Sequence, residues 1–155
     1  MIDINSLIKL LNKNKSNFFT GVPDSVLKEL SRKLQNEKIK KHIIATNEGA
    51  AISIGIGHYL STKEVPTVYM QNSGLSNALN PLISIAHEKV YSIPLILIIG
   101  WRGSPRVKDE PQHNVKGQIT ESLLKLLNIK YTILRTNRDI IKFDKQIKLS
   151  KKKKQ

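Results

Sequence analysis

Short β-branched runs alternate along this chain with longer segments whose apolar residues recur every three or four positions, and this alternation constrains the fold more than any other feature. Amphipathic helices that separate apolar strands predict an α/β domain, a parallel sheet with helices on both faces. Ile4, Leu7, Ile8, Leu10 and Leu11 are spaced for a helix over Ile4 to Asn14, and Asn17 to Thr20 reads as a first short strand. The turn Gly21 to Ser25 leads into a helix that is expected to take Pro23 in its first turn and to end near Gln35. Strand His42 to Ala45 precedes a helical run from Asn47 to Leu60 that is rich in Gly and Ala. Each Gly costs an exposed helix about 1 kcal/mol relative to Ala, so this helix is expected to be buried and closely packed.

Thr67 to Met70 reads as a strand, Leu75 to Val90 as a helix bent near Asn80-Pro81, and Pro94 to Ile99 as a fully apolar strand expected to be central. Gly100 to His113 has turn formers and charges but no period, the pattern of a functional loop. A helix around Ile119 to Leu127, a strand Tyr131 to Leu134 and a basic helix from about Asp139 complete the chain. This organisation predicts one domain over 1–137 and a basic C-terminal helix or tail over 138–155. Four strand-following loops, Gly21 to Ser25, Thr46 to Glu48, Gln71 to Gly74 and Gly100 to His113, should gather at the carboxyl edge of the sheet, where open α/β domains bind ligands.

Charge bears on the choice of partner. The formal net charge is +14, but the residues from Arg138 onward hold eight Lys and Arg against two Asp, and therefore +6 of that total. The Lys151 to Lys154 run reads as a solvated, frayed tail, and aromatic residues at 5% offer little for base stacking, so nucleic acid is an unlikely partner. No apolar run approaches the roughly 20 residues that span a bilayer, and the first residues lack the order of a secretion signal, so a cytoplasmic location is expected. Without cysteine there is no thiolate nucleophile, and no histidine pair has metal-ligand spacing, so no metal site is expected on this chain.

Several ordered motifs then agree. Thr20-Gly21-Val22-Pro23-Asp24-Ser25, Asn47-Glu48-Gly49, Tyr69-Met70-Gln71-Asn72-Ser73-Gly74-Leu75, Gly100-Trp101-Arg102-Gly103 and Lys108-Asp109-Glu110-Pro111-Gln112-His113 together resemble the phosphonopyruvate decarboxylase branch of the thiamine diphosphate-dependent decarboxylases. The sulfopyruvate decarboxylases are a weaker match. The resemblance covers roughly Phe18 to Tyr131 and implies the amino-terminal pyrimidine-binding domain, with a sheet of about six parallel strands. It implies conversion of 3-phosphonopyruvate to phosphonoacetaldehyde and carbon dioxide, with thiamine diphosphate as cofactor.

Glu48 corresponds to the carboxylate that exchanges a proton with the cofactor's pyrimidine, a role that a carboxyl group in a partly desolvated pocket can perform. By position alone, Glu48 also suits a first helical turn, where its charge complements the helix dipole. The resemblance implies that Asn72, Ser73 and Gly74 line the pyrimidine pocket; the same turn could equally cap the next helix. It places Asp24 and Ser25 at the substrate end, although both are common turn residues. Arg102, Arg106 and Lys108 could supply cations for a phosphonate or sulfonate. His113 is the proton-transfer candidate among the four histidines, and His42, His58 and His87 read as structural. In the family a second domain holds the diphosphate through magnesium with a Gly-Asp-Gly segment. This sequence contains none. The resemblance therefore implies a separate diphosphate-binding partner, on which the magnesium is expected, and a hetero-oligomer acting on a 2-oxo acid.

Overall fold

The computed structural model describes residues 2–36, 41–105 and 107–152. Arg106 and the end of the lysine run, Lys153 and Lys154, lie outside them. The elements in chain order are α1 (Ile4–Lys13), β1 (Phe19–Gly21), α2 (Lys28–Asn36), β2 (His42–Ile44), α3 (Glu48–Thr62), β3 (Thr67–Gln71), α4 (Leu75–Pro81), β4 (Ile96–Gly100), α5 (Pro111–Leu126) and α6 (Asn137–Lys152). A single 3-10 turn, Asn72–Gly74, joins β3 to α4, and a π-helical turn, Leu82–Ala86, follows Pro81.

The strands form one parallel sheet in the order β2-β1-β3-β4. Its two faces are covered by different helices. β3 alternates: Tyr69 points to a cluster with Leu7, Leu11, Leu30, Leu34, Phe143 and Ile147, whereas Val68 and Met70 point to one with Ile52, Ile56, Ala78 and Leu124. Thus α1, α2 and α6 supply one layer, and α3, α4 and α5 the other. Fully burying a side chain such as Ile52 contributes about 1.5–3 kcal/mol, so these two clusters dominate the stability.

The close packing expected of α3 is present at Gly55 but not along the whole helix, since Gly57 faces open space and Leu60 is exposed. A Cβ on Gly55 would lie 3.0 Å from Val68 and 3.3 Å from Pro66, so the missing side chain lets the helix approach β3. The helix expected from Leu75 to Val90 keeps its α-geometry only to Pro81, whose ring removes a hydrogen bond, and widens to π geometry from Leu82. The expected C-terminal helix forms as α6, and its apolar side is built into the core through Ile140, Phe143 and Ile147.

Five expectations need correction. The sheet has four strands among the described residues, not about six. Tyr131 to Leu134 is not a strand: Tyr131 Oη donates to Glu121, Thr132 Oγ1 to Gln146, and Gln146 Nε2 donates to the Lys130 carbonyl at 2.7 Å, so helix side chains hold this segment instead of β4. Consequently β4, expected to be central, is an edge strand; a cleft of ≈ 910 Å³ lies between it and residues 129–135. Helix α2 starts at Lys28 and not near Pro23, because the Asp24 carboxylate takes the amides of Val26 and Leu27 (3.1 and 3.2 Å) in a turn. Helix α5 starts at Pro111, well before Ile119, and Pro suits that first position because its missing N–H has no helical partner there.

Candidate active site

Parallel pairing aligns the strands so that the loops leaving β1, β2, β3 and β4 all emerge on the carboxyl edge of the sheet. The chain passes from β1 outward to β2 and then crosses to β3 on the other side of β1, so the connections diverge beyond β1 and β3, where such sheets open a crevice. All the candidate site residues except the undescribed Arg106 belong to these loops or to the helices they enter.

Glu48 is the first residue of α3. Asn47 is extended (φ −157, ψ 171) and its side chain accepts the Ala50 amide at 2.9 Å, an N-cap that sets the point where the helix begins. Glu48 thereby stands in the first turn of α3, at the positive end of the helix dipole. Its half-buried side chain reaches across to the turn after β3. Oε2 accepts from Asn77 Nδ2 at 3.0 Å, and Oε1 takes no hydrogen bond from a described residue. Gly74 makes the room: a Cβ there would fall 2.4 Å from Oε1 and 2.3 Å from Cγ. A carboxylate with one oxygen held and the other unclaimed is suited to exchanging a proton with a ring nitrogen.

The second group is built around Arg102. Its Nε donates to Asp109 Oδ2 at 2.7 Å, Nη2 to Asp109 Oδ1 at 2.5 Å, and Nη1 to Ser25 Oγ at 3.1 Å. The guanidinium hydrogen bonds hold the Asp109 carboxyl well below the usual carboxylate range, helped by the amides of Glu110 and Gly103. In return, Asp109 raises the pKa of Arg102, with smaller contributions from Asp24 and Glu110. Asp24 Oδ1 is buried and has no partner among the described residues, and Gly100 leaves space for Oδ2, 2.2 Å from where its Cβ would be.

Asn72 links the two groups. It is almost fully buried (4% exposed); its Oδ1 accepts the Arg102 amide at 3.1 Å, and its Nδ2 donates to the Arg102 carbonyl at 3.0 Å and to Thr120 Oγ1 at 2.9 Å. Both ends of this amide are occupied by the chain, so Asn72 pins the β4 loop and α5 to the turn after β3. Ser73 is half-buried, with its Oγ accepting from Gln71 Nε2 at 2.7 Å. His113 lies in the first turn of α5, its carbonyl against Gly103, and no hydrogen bond among the described residues joins it to Glu48. Lys108 is exposed.

The other histidines serve the framework. His42 Nε2 meets the Tyr69 hydroxyl at 2.8 Å, burial lowers its pKa, and burial pushes the Tyr69 phenol up to about 12. His58 stacks on Phe18 with ring centroids 4.0 Å apart, and His87 Nδ1 accepts the Lys89 amide. Among the described residues no three His, Asp or Glu side chains cluster closely enough to hold a metal ion, and no helix is long and apolar enough to cross a membrane.

Two residues of this site carried no role in the sequence reading. Asp109 lay within a recognised motif, and an acidic residue seven positions after Arg102 in a Gly- and Pro-containing loop was its only signal. Asn77 lay just beyond the Gln71 to Leu75 motif, three positions after Gly74, and so in the first turn of the helix which that motif opens.

Comparison with known proteins agrees with this geometry. Residues 4–124 match the family described as thiamine pyrophosphate enzyme, N-terminal TPP binding domain. The chain is 37% identical over 114 residues to a phosphonopyruvate decarboxylase of Streptomyces viridochromogenes, covering 74% of this chain and 28% of that protein. It is 38% identical over 114 residues to the sulfopyruvate decarboxylase subunit alpha of Methanococcus maripaludis, covering 74% and 66%, respectively. The corresponding subunit of Methanocaldococcus jannaschii is 33% identical over 125 residues, covering 80% and 71%. The chain thus spans less than a third of the phosphonopyruvate decarboxylases it matches and about two thirds of the alpha subunits. The three alpha subunits range from 28% to 38% identity, against 34% and 37% for the two phosphonopyruvate decarboxylases. This chain belongs to the thiamine pyrophosphate enzyme family, as its N-terminal TPP binding domain.

Proposed function

We propose that this member of the family supplies the pyrimidine-binding half of a 2-oxo acid decarboxylase whose substrate is 3-phosphonopyruvate, the diphosphate and its magnesium being held by a partner chain or domain. The observation that carries this reading is the Glu48 carboxylate, set by the Asn47 cap at the carboxyl edge of the sheet with Oε1 unclaimed. The residues present fit the pyrimidine end of thiamine diphosphate: a seat floored by a glycine, beside a carboxylate oxygen able to carry a proton. Bound there, the cofactor supplies the carbon nucleophile and the electron sink that decarboxylation needs.

The chain's own contribution is proton exchange and orientation. Glu48 Oε1 gives a proton to, and takes it back from, the pyrimidine nitrogen. Ser73 and Gly74 line the ring, and Asn72 acts one step back by fixing the loop that carries Arg102. Ser25 and Asp24 flank the substrate. Arg102 can receive a phosphonate only in competition with Asp109, because its fork is already taken. Lys108, exposed in the same loop, is the second cation, and His113 in the first turn of α5 is the proton donor to product.

The test is to combine the chain with a diphosphate-binding partner, thiamine diphosphate and magnesium, and to follow aldehyde and carbon dioxide formation. Glu48→Gln should lower the rate by about a hundredfold or more. Full activity in that variant, or none above the partner alone with wild-type chain, would sink the reading. One observation favours a second substrate: the relatives whose length this chain largely covers are named as sulfopyruvate decarboxylase alpha subunits. Running 3-sulfopyruvate beside 3-phosphonopyruvate in the same assay decides between them.

A further inference from the structure

Asn77, in the first turn of α4, faces Glu48. We infer that Asn77 is the positioning residue that selects which Glu48 oxygen carries the proton, an inference that rests on the proposed role of Glu48. Asn77 Nδ2 donates to Oε2 at 3.0 Å, so that oxygen is committed to the chain. Oε1, packed against Gly74, is left as the exchanging atom.

Three further contacts tie this turn to its neighbours. The Asn77 carbonyl lies 3.0 Å from where a Cβ on Gly49 would stand, so the first turn of α4 bears directly on the first turn of α3. Ser76, the preceding residue, donates its hydroxyl to the Ser73 carbonyl at 2.8 Å and accepts from Lys116 Nζ at 3.2 Å, which ties the same turn to α5. The Asn77 side chain is therefore anchored at its base before it reaches Glu48.

The chemistry of an amide suits this task better than that of a charged donor. A lysine at this position would favour the Glu48 carboxylate through its full charge, whereas a neutral amide adds no charge and can keep donating to one oxygen when the other is protonated. The geometry thus assigns Asn77 the orientation of Glu48 and leaves its protonation to the cofactor.

The first experiment uses the full chain alone and reads the Asn77 side-chain amide by NMR. Glu48→Ala should move that amide toward the position of a solvated one, and an unmoved resonance would overturn the inference. The second adds the diphosphate-binding partner and thiamine diphosphate, and measures exchange of the cofactor's C2 proton into deuterated water. Asn77→Ala and Asn77→Asp should each slow exchange by about tenfold, the scale of one hydrogen bond to a charged group. Asn77→Asp keeps the shape and removes the donor, so exchange at the wild-type rate in that variant would reduce Asn77 to a packing residue. If Glu48→Gln also exchanges at the wild-type rate, the reading of Glu48 itself fails; if Glu48→Gln is slow and Asn77→Asp fast, only the present inference fails.

Discussion

The turn from β2 into α3 and the loop from β4 into α5 both deliver a charged side chain to the carboxyl edge of the sheet, by opposite means. The first needs only Ala45, Thr46 and Asn47 before Glu48 begins its helix. Its geometry is local: one cap, one helix start and a glycine opposite. The second uses the ten residues from Trp101 to Glu110, and contacts among its described residues come from side chains and backbone that must first be brought close, beside one local turn from Ser104 to Val107. Asp109 closes on Arg102, Asn72 grips the Arg102 backbone, Trp101 Nε1 donates to the Gly117 carbonyl at 3.0 Å, and Gly103 sits with φ +62 against α5. A short turn is fixed by its own backbone; a long one is fixed by what surrounds it.

The largest break in this comparison is expected at Gly117. A Cβ there would fall 1.8 Å from the Gly103 carbonyl oxygen, a backbone atom that cannot rotate away. Gly117→Ala should therefore push α5 off the loop and cost about 3 kcal/mol in urea unfolding. A loss below about 1 kcal/mol would mean that the loop gives way freely and is not held by its surroundings. The short turn should lose less when its local device is removed. Asn47→Ala deletes the cap on Ala50 and should cost about 1 kcal/mol by the same measurement, with Asn47→Asp close to wild type.

The smallest expected effect is confined to the loop and depends on pH. Asp109 is held below its ordinary value of 3.8 by Arg102 first and then by two amides, so its contribution is complete above that value and disappears as pH falls through the lower folded value. The amide resonances of Gly103 and Glu110 should stay native-like at pH 4 and move only in stronger acid. Asp109→Asn should show them displaced at neutral pH, with no further acid transition. Resonances that titrate near 4 in the wild type would show that the ion pair does not hold the loop.

The two regions also differ in how readable they were. The alternation of helical and strand patterns predicted the α/β class and the gathering of four loops, because apolar periodicity acts through each segment's own repeat. Asn47-Glu48-Gly49 marked the start of α3 and with it the candidate carboxylate, since a cap works within three residues. The β4 loop was readable only as a loop. Its motif marked Arg102 as a candidate cation for the substrate, which the structure pairs with Asp109, and Asn72, expected to touch the cofactor, has both ends of its amide bonded within the loop and α5.

By itself, then, the sequence determined the alternation of helices and strands up to β4, that α3 begins near Asn47, and that Glu48 stands at the carboxyl edge of the sheet. Tertiary structure alone decided that β4 lies at the edge of the sheet, that Tyr131 to Leu134 is tied to α5 and α6, and that Asn77 holds Glu48 from 29 residues away. Local patterns act through a few neighbouring backbone units and can be read in order. Strand order and side-chain pairs between elements exist only after the chain has closed long loops, and which partner wins depends on the whole packed arrangement.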